Sequence, residues 1–203
     1  MDAFLDLVDQ LVASPWVYGV IFLVAMLDAF VPIVPSEATV ITAAVFAATG
    51  EPNVFLVAGS AAGGAMAGDH ISYFVGRSGG PNLIRRIPEG SRRARTFDRV
   101  RRLLLAHGGI ALVIARYIPG GRTAITLTTG AIGYPLHRFT AFDALACVSW
   151  AVYITLLGYL GGATFQDNPL QGLALGFGLA LVVAGLVELV QWLRQRRRTR
   201  AES

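Results

Sequence analysis

Alternation of apolar and polar stretches divides the chain into six apolar runs, at residues 15–31, 32–50, 53–76, 110–133, 139–160 and 171–193. A helix needs about 20 predominantly apolar residues to cross a hydrocarbon core of about 30 Å. The first, third, fifth and sixth runs predict spanning helices. The second is short and interrupted by Pro32 and Pro35, and the fourth by Pro119, Gly120 and Gly121. Proline removes a helical donor and crowds the preceding turn. Both runs therefore predict re-entrant hairpins that enter and leave on one side. The predicted fold class is an all-α integral membrane protein, a single membrane domain with about four spanning helices and two re-entrant hairpins.

The segments outside these runs carry their own signals. Residues 1–13 place Phe4, Leu5, Leu7, Val8, Leu11 and Val12 among three aspartates, which predicts a short amphipathic helix on the membrane surface. The absence of a basic leader there argues against a signal peptide. Residues 81–109 form a basic amphipathic linker, in which Ser91 can cap a helix running through Phe97, Val100 and Leu104 to Gly108 and Gly109. Residues 194–203 form a basic tail after the last span.

The chain also repeats itself. Setting Pro35 against Pro119 gives an offset of 84, and Gly76, Gly79 and Gly80 meet Gly158, Gly161 and Gly162 at an offset of 82. YFVGRSGG at 73–80 thus echoes TLLGYLGG at 155–162. The first repeat covers 28–80 and the second 110–162, each a hairpin followed by a span. The two spans run in opposite directions, so the repeat is inverted. Inverted repeats with interrupted helices are a transporter signature, with the substrate site near mid-membrane.

Composition strengthens the membrane reading. The 203 residues are 54% hydrophobic and 15% charged, whereas a soluble domain carries about 25% charge. Mean hydropathy is +0.57. All 17 basic residues are arginine. They cluster beside the spans as topology demands, which sets nucleic acid aside as a partner. Nine fall in 77–102, five in 194–200, and Arg138 precedes a span. The positive-inside rule puts these clusters in the cytoplasm. Both termini are then cytoplasmic, residues 161–171 face outside, and the protein is expected in the bacterial plasma membrane. Gly172 and Gly176 in the last run permit close packing, so a homo-oligomer is open.

Charge inside the apolar runs is the candidate chemistry. An ionised acid at membrane depth costs about 2.5–3.5 kcal/mol on insertion scales and must pair, protonate or see water. Glu37 follows Pro32 and Pro35, and Asp69 lies between Gly64, Gly68 and the span end. Each reads either as a proton site or as a structural partner of an arginine. Arg116 and Arg122 flank Pro119, Gly120 and Gly121. Arginine stays charged and offers a planar fork for phosphate. The amides of Gly120 and Gly121 are expected to join an anion site. Asp28 lies at a span end and suggests an interfacial role; Asp28, Asp143 and Tyr73 are secondary candidates for the site. Tyr73 and Trp150 are typical packing or belt residues. Cys147 reads as a small buried side chain, and a single cysteine excludes an internal disulfide. His70, His107 and His137 are scattered, so no metal site and no cofactor are expected.

Three motifs in order resemble the DedA family, also called the VTT or SNARE-associated domain family. They are DAFVPIVPSE (28–37), the Gly64, Gly68, Asp69, Tyr73, Gly76, Arg77, Gly80 run, and Arg116, Pro119, Gly120, Arg122. The likeness covers roughly 20–162. It implies an inverted-repeat fold with two re-entrant hairpins and transport of lipids, undecaprenyl phosphate or phosphatidylethanolamine in bacterial members, with dependence on the proton motive force. Eukaryotic relatives scramble phospholipids. The family's membrane acids map onto Glu37 and Asp69, and its arginines onto Arg116 and Arg122. Ala44, Thr129 and Asp143 depart from the residues usual at those positions.

Together these features predict a proton-linked flippase for an anionic lipid phosphate such as undecaprenyl phosphate. A phospholipid flippase or scramblase, or a proton-coupled antiporter of small ions or drugs, would use the same fold. No nucleophile–base spacing suggests an enzyme.

Overall fold

The structure is a computed structural model that describes residues 14–29, 36–86, 88, 90–118, 121–165 and six isolated positions between 171 and 185. Among the described residues the chain is entirely helical. The helices are α1 (Trp16–Asp28), α2 (Ser36–Ala47), α3 (Val54–Arg86), α4 (Arg92–His107), α5 (Ile110–Arg116), α6 (Gly121–Ala131) and α7 (Leu136–Thr164). The amphipathic helix expected at 1–13, the tail at 194–203 and most of the last apolar run lie outside the described residues.

Length separates the helices into two kinds. At 1.5 Å per residue, the 33 residues of α3 extend about 50 Å and the 29 of α7 about 43 Å. Either exceeds a membrane core. The 13 residues of α1 reach about 20 Å and the 12 of α2 about 18 Å, so neither crosses alone. Helices α5 and α6, of 7 and 11 residues, are shorter still. Among the described residues α7 is the one helix both long and apolar enough to cross a membrane. Along it Leu145, Val148, Val152, Leu156 and Leu160 stay exposed on one face. Such a stripe suits lipid, not water.

Contacts fix the direction of each short helix. The hydroxyl of Tyr18 accepts from the amide of Asn53, while Phe22 and Met26 lie against Gly64 and Gly68. Helix α1 therefore runs parallel to α3. On the other side, Ile41 and Val45 of α2 lie against Gly158 and Gly162 of α7. In the second half, Gly109 meets the Phe142 ring and the Tyr117 hydroxyl meets Ser149, so α5 runs parallel to α7. Leu127 and Ala131 of α6 lie against Gly76 and Gly80 of α3. The second short helix of each half thus packs on the long helix of the other half.

This arrangement corrects two expectations. Within the run 15–31 expected to span, the described helix is Trp16–Asp28, about 20 Å long and too short to cross alone. An unbroken apolar run conceals where the backbone stops being helical. Moreover, the Trp16 end of α1 lies beside Asn53, at the end of α3 remote from Arg77. The start of α1 therefore sits opposite the arginine-rich end, not on the same side as it. Helix α3 runs on to Arg86, into the linker expected from residue 81; within the rest of it Ser91 accepts from the amide of Ala94, Val100 and Leu104 are buried, and α4 stops at Gly108, whose φ of 57° favours glycine.

Two apolar clusters result. One joins Ile21, Ala25, Val40, Ile41, Val57, Ala61, Trp150 and Ile154. The other joins Tyr73, Val100, Leu104, Leu112, Ile125 and Phe139. Asp69 lies between them along α3.

A Cβ on Gly76 would overlap the Leu127 carbonyl, and one on Gly158 would lie 2.7 Å from the Ile41 carbonyl oxygen. Overpacking costs about 1–3 kcal/mol. Gly76→Val and Gly158→Val are expected to lower the melting temperature in detergent and broaden the size-exclusion peak. Gly59→Ala, where a Cβ meets nothing within 4 Å, is the control and keeps both unchanged.

Candidate functional site

Asp69 is fifteen residues into α3, about 22 Å from its start. Small residues at Gly64, Ala65 and Gly68 bring α1 and the second break against this stretch. The carboxylate accepts from two arginines. Arg116 Nη1 donates to Oδ2 at 2.7 Å, and Arg122 Nε donates to Oδ1 at 2.8 Å. Arg116 ends α5 and Arg122 is the second residue of α6, so one carboxylate closes the second break.

Arg122 extends the network to the first break. Its Nη1 donates to Asp28 Oδ2 at 3.1 Å and its Nη2 to the Ala65 carbonyl at 3.1 Å. Asp28 ends α1 and also accepts from the hydroxyl of Ser36, the first residue of α2, at 2.9 Å. The Thr123 hydroxyl donates to the Ala29 carbonyl at 3.0 Å. Both breaks therefore meet at one cluster of two acids and two arginines whose formal charges cancel.

Arg116 is only partly satisfied. Its side chain is 4% exposed, and its guanidinium lies 5.1 Å from the Trp150 ring centroid, in cation–π contact. Yet Nε and Nη2 have no hydrogen-bond partner among the described residues. These two N–H groups share one edge of the guanidinium, the edge that binds an oxyanion through two parallel bonds.

A second polar cluster adjoins the first. His70 Nε2 lies 2.9 Å from the Thr140 hydroxyl and Nδ1 lies 2.8 Å from the Met66 carbonyl. Asp143 Oδ2 approaches Nδ1 at 3.4 Å, an ion-pair distance outside hydrogen-bond geometry, and has no hydrogen-bond partner among the described residues. The Cys147 thiol lies 3.7 Å from both Asp143 and Asp69. Oxygen and sulfur atoms of Asp69, Asp143 and Cys147 converge within 4.8 Å, close enough for a metal ion. The two arginines already on Asp69 oppose a cation there, so the donor set does not fit one.

The structure brings together Asp69, Arg116 and Arg122 as the sequence suggested, but with Asp28, not Glu37, as the second acid. Asp28, a secondary candidate and 14% exposed, belongs to this network through Arg122 and Ser36. Glu37 is exposed, and its described contact is the Ser36 hydroxyl at 3.4 Å. The Gly121 amide donates to the Ile118 carbonyl at 2.8 Å inside the turn, so it is not free for an anion. Gly120 lies outside the described residues. Asp143 is buried beside the site. Tyr73 is fully buried, stacks on Phe139 and donates to the Tyr134 carbonyl, which makes it a packing residue. Sequence reasoning missed His70; its one available signal was adjacency to Asp69.

Comparison with known proteins agrees with this architecture. The VTT domain model matches residues 31–160. The chain belongs to the VTT domain, or DedA, family. It is 25% identical over 190 residues to protein DedA of Escherichia coli K12, covering 90% of this chain and 86% of that one. Inner membrane protein YohD of the same organism is 32% identical over 144 residues, 70% of this chain and 73% of its own. A membrane protein of Mycobacterium leprae is 28% identical over 173 residues, 83% of this chain and 76% of its own. No solved structure matches. The protein is thus a member of a membrane protein family.

Removing one partner of a buried ion pair costs about 3–5 kcal/mol, because an uncompensated charge remains. Asp69→Asn is expected to destabilise the fold on this scale. The double variant with Arg116→Leu is expected to lose less than the two single losses added. A double-mutant cycle on detergent melting checks the coupling.

Proposed function

We propose that the protein is a membrane lipid transporter that moves an anionic lipid phosphate, undecaprenyl phosphate as the leading substrate, with proton coupling. The observation that carries this is the Arg116 edge: Nε and Nη2, on a guanidinium 4% exposed, with no partner among the described residues. Two parallel donors at a buried position match a phosphate and leave the lipid tail free to remain in the bilayer. Arg122 supports the same anion from the other side of the break.

The crosswise packing supports an inverted pair of re-entrant hairpins. Helices α1 and α5 enter from opposite ends of the long helices, α2 and α6 return, and the two breaks touch at mid-depth. With the positive-inside rule, the Arg77 and Arg138 end is cytoplasmic and α1–α2 enters from the outer face. Rocking of one broken unit against the other would expose the site to either side.

Charge balance supports proton coupling. Asp28 and Asp69 already neutralise Arg122 and Arg116. An arriving phosphate adds negative charge at membrane depth, which is costly. Protonation of Asp69, or of exposed Glu37 joined to Asp28 through Ser36, restores the balance and loosens the hold on the arginines.

Charge-assisted hydrogen bonds are worth about 1.5–3 kcal/mol each. Losing both donors of Arg116, about 3–6 kcal/mol together, is therefore expected to make Arg116→Ala bind undecaprenyl phosphate at least about a hundredfold more weakly. Arg116→Lys keeps the charge and loses the two-donor edge, so it should restore little. Calorimetry on folded, purified variants checks this, with phosphatidylethanolamine as competitor. Unchanged affinity in Arg116→Ala would overturn the site. Equal affinity for phosphatidylethanolamine would favour a broader phospholipid flippase or scramblase.

A further inference from the structure

We propose that His70 and Asp143 form a proton port, through which the buried Asp69 site exchanges protons with the arginine-rich face; this rests on the proton-coupled reading above. Four observations converge on it. His70 is 21% exposed, whereas Asp143 behind it is 4% exposed. Asp143 Oδ2 has no hydrogen-bond partner among the described residues, and it faces His70 Nδ1 at 3.4 Å. Asp143 Oδ1 and Asp69 Oδ2 each contact the Cys147 thiol at 3.7 Å. Acceptor atoms of the two acids lie within 4.8 Å of one another.

The hydrogen bonds set the imidazole tautomer. A backbone carbonyl can only accept, so Nδ1 beside Met66 carries a proton and Nε2 accepts from the Thr140 hydroxyl. A proton arriving at Nε2 forms the imidazolium. The imidazolium draws the Asp143 carboxylate in from its 3.4 Å ion-pair distance to a hydrogen bond, and Nδ1 releases its proton to Oδ2 along it. The imidazole is left neutral with its proton on Nε2, and the Asp143 charge is removed. A ring flip, which returns the N–H to the Met66 carbonyl and a free nitrogen to Thr140, resets the port.

Charged neighbours define what the port senses. Beside His70 on α3 is Asp69, on α7 are Asp143 and Cys147, on α5 is Arg116, on α6 is Arg122, and on α1 is Asp28 bound to Arg122. Glu37 of α2 reaches Ser36 and not this cluster. A neutral Asp143 leaves Asp69 as the acid closest to Arg116, so the proton can next move to the pair that the phosphate must separate. The port also has a direction. His70 is seven residues from Arg77 on α3, about 10 Å of helix, and Thr140 is two residues from Arg138.

The test is a pH jump on full-length protein in liposomes, followed by the infrared band of protonated carboxyl groups. Wild type is expected to gain a band that Asp143→Asn loses. His70→Gln is expected to reach the same amplitude at least tenfold more slowly, which a merely structural histidine would not do. A band unchanged in Asp143→Asn, or a wild-type rate in His70→Gln, would overturn the port. Undecaprenyl phosphate binding on the same samples separates the two readings. Absence of binding by wild type at every pH would sink the phosphate reading, while the infrared band alone still decides the port.

Discussion

The structure depends on one carboxylate gripping two arginines. Asp69 is the place where an uninterrupted helix meets two interrupted ones. Each interruption leaves helix ends beside this buried carboxylate, and helix ends carry unpaired backbone groups. Charges at those ends are not placed for the helix dipoles alone. Arg116 suits the C-terminus of α5, but Asp28 sits at the C-terminus of α1 and Arg122 at the N-terminus of α6, each the unfavourable end. A dipole mismatch costs about 0.3–1 kcal/mol. An orphaned buried charge costs several times more. The mutual pairing of Asp28 and Arg122 therefore decides the arrangement, and the dipoles yield.

Glycine-mediated packing keeps that grip in register. Gly76 and Gly80 admit α6 against α3, Gly158 and Gly162 admit α2 against α7, and Gly64 and Gly68 admit α1. Without a hydrophobic force between helices in lipid, such close backbone contact is what holds them. Because each long helix carries a short helix from the other half, any change in the spacing of α3 and α7 moves both breaks. The ion network and the packing frame are thus one mechanical unit.

Much of this was legible in the sequence, and the failures have physical causes. The breaks announced themselves through proline and glycine, and the α4 cap through Ser91 and Gly108. Of the glycines at offset 82, Gly76 with Gly158 and Gly80 with Gly162 each admit a short helix, because close approach leaves only glycine as an option, whereas a Cβ on Gly79 would meet nothing. The direction of α1 was not legible: hydropathy reports burial in an apolar medium and is blind to whether a run crosses or turns back. Asp28 stood only among the secondary candidates, because a residue at the end of an apolar run carries no sign of a partner ninety-four residues on. Gly121 looked available because sequence cannot show that its amide closes a turn on Ile118. His70 escaped notice because a single histidine has no spacing, and its partners Thr140 and Asp143 are seventy residues away or more.

The charge arithmetic of the site limits how an anion could be accommodated. Arginine does not deprotonate in proteins, so Arg116 and Arg122 cannot alter their charge. A metal cation near Asp69 would face both guanidinium groups. The groups left to absorb a change of charge are the carboxylates and the one imidazole beside them. Of these, Asp69 is engaged by two arginines, Asp28 by Arg122 and Ser36, and Asp143 by the Cys147 thiol on one oxygen and by His70 at 3.4 Å on the other. Asp143 lies between the partly exposed His70 and the doubly paired Asp69. On the phosphate reading, that placement sets a direction for protonation, from His70 to Asp143 and from Asp143 to the ion pair that holds Arg116.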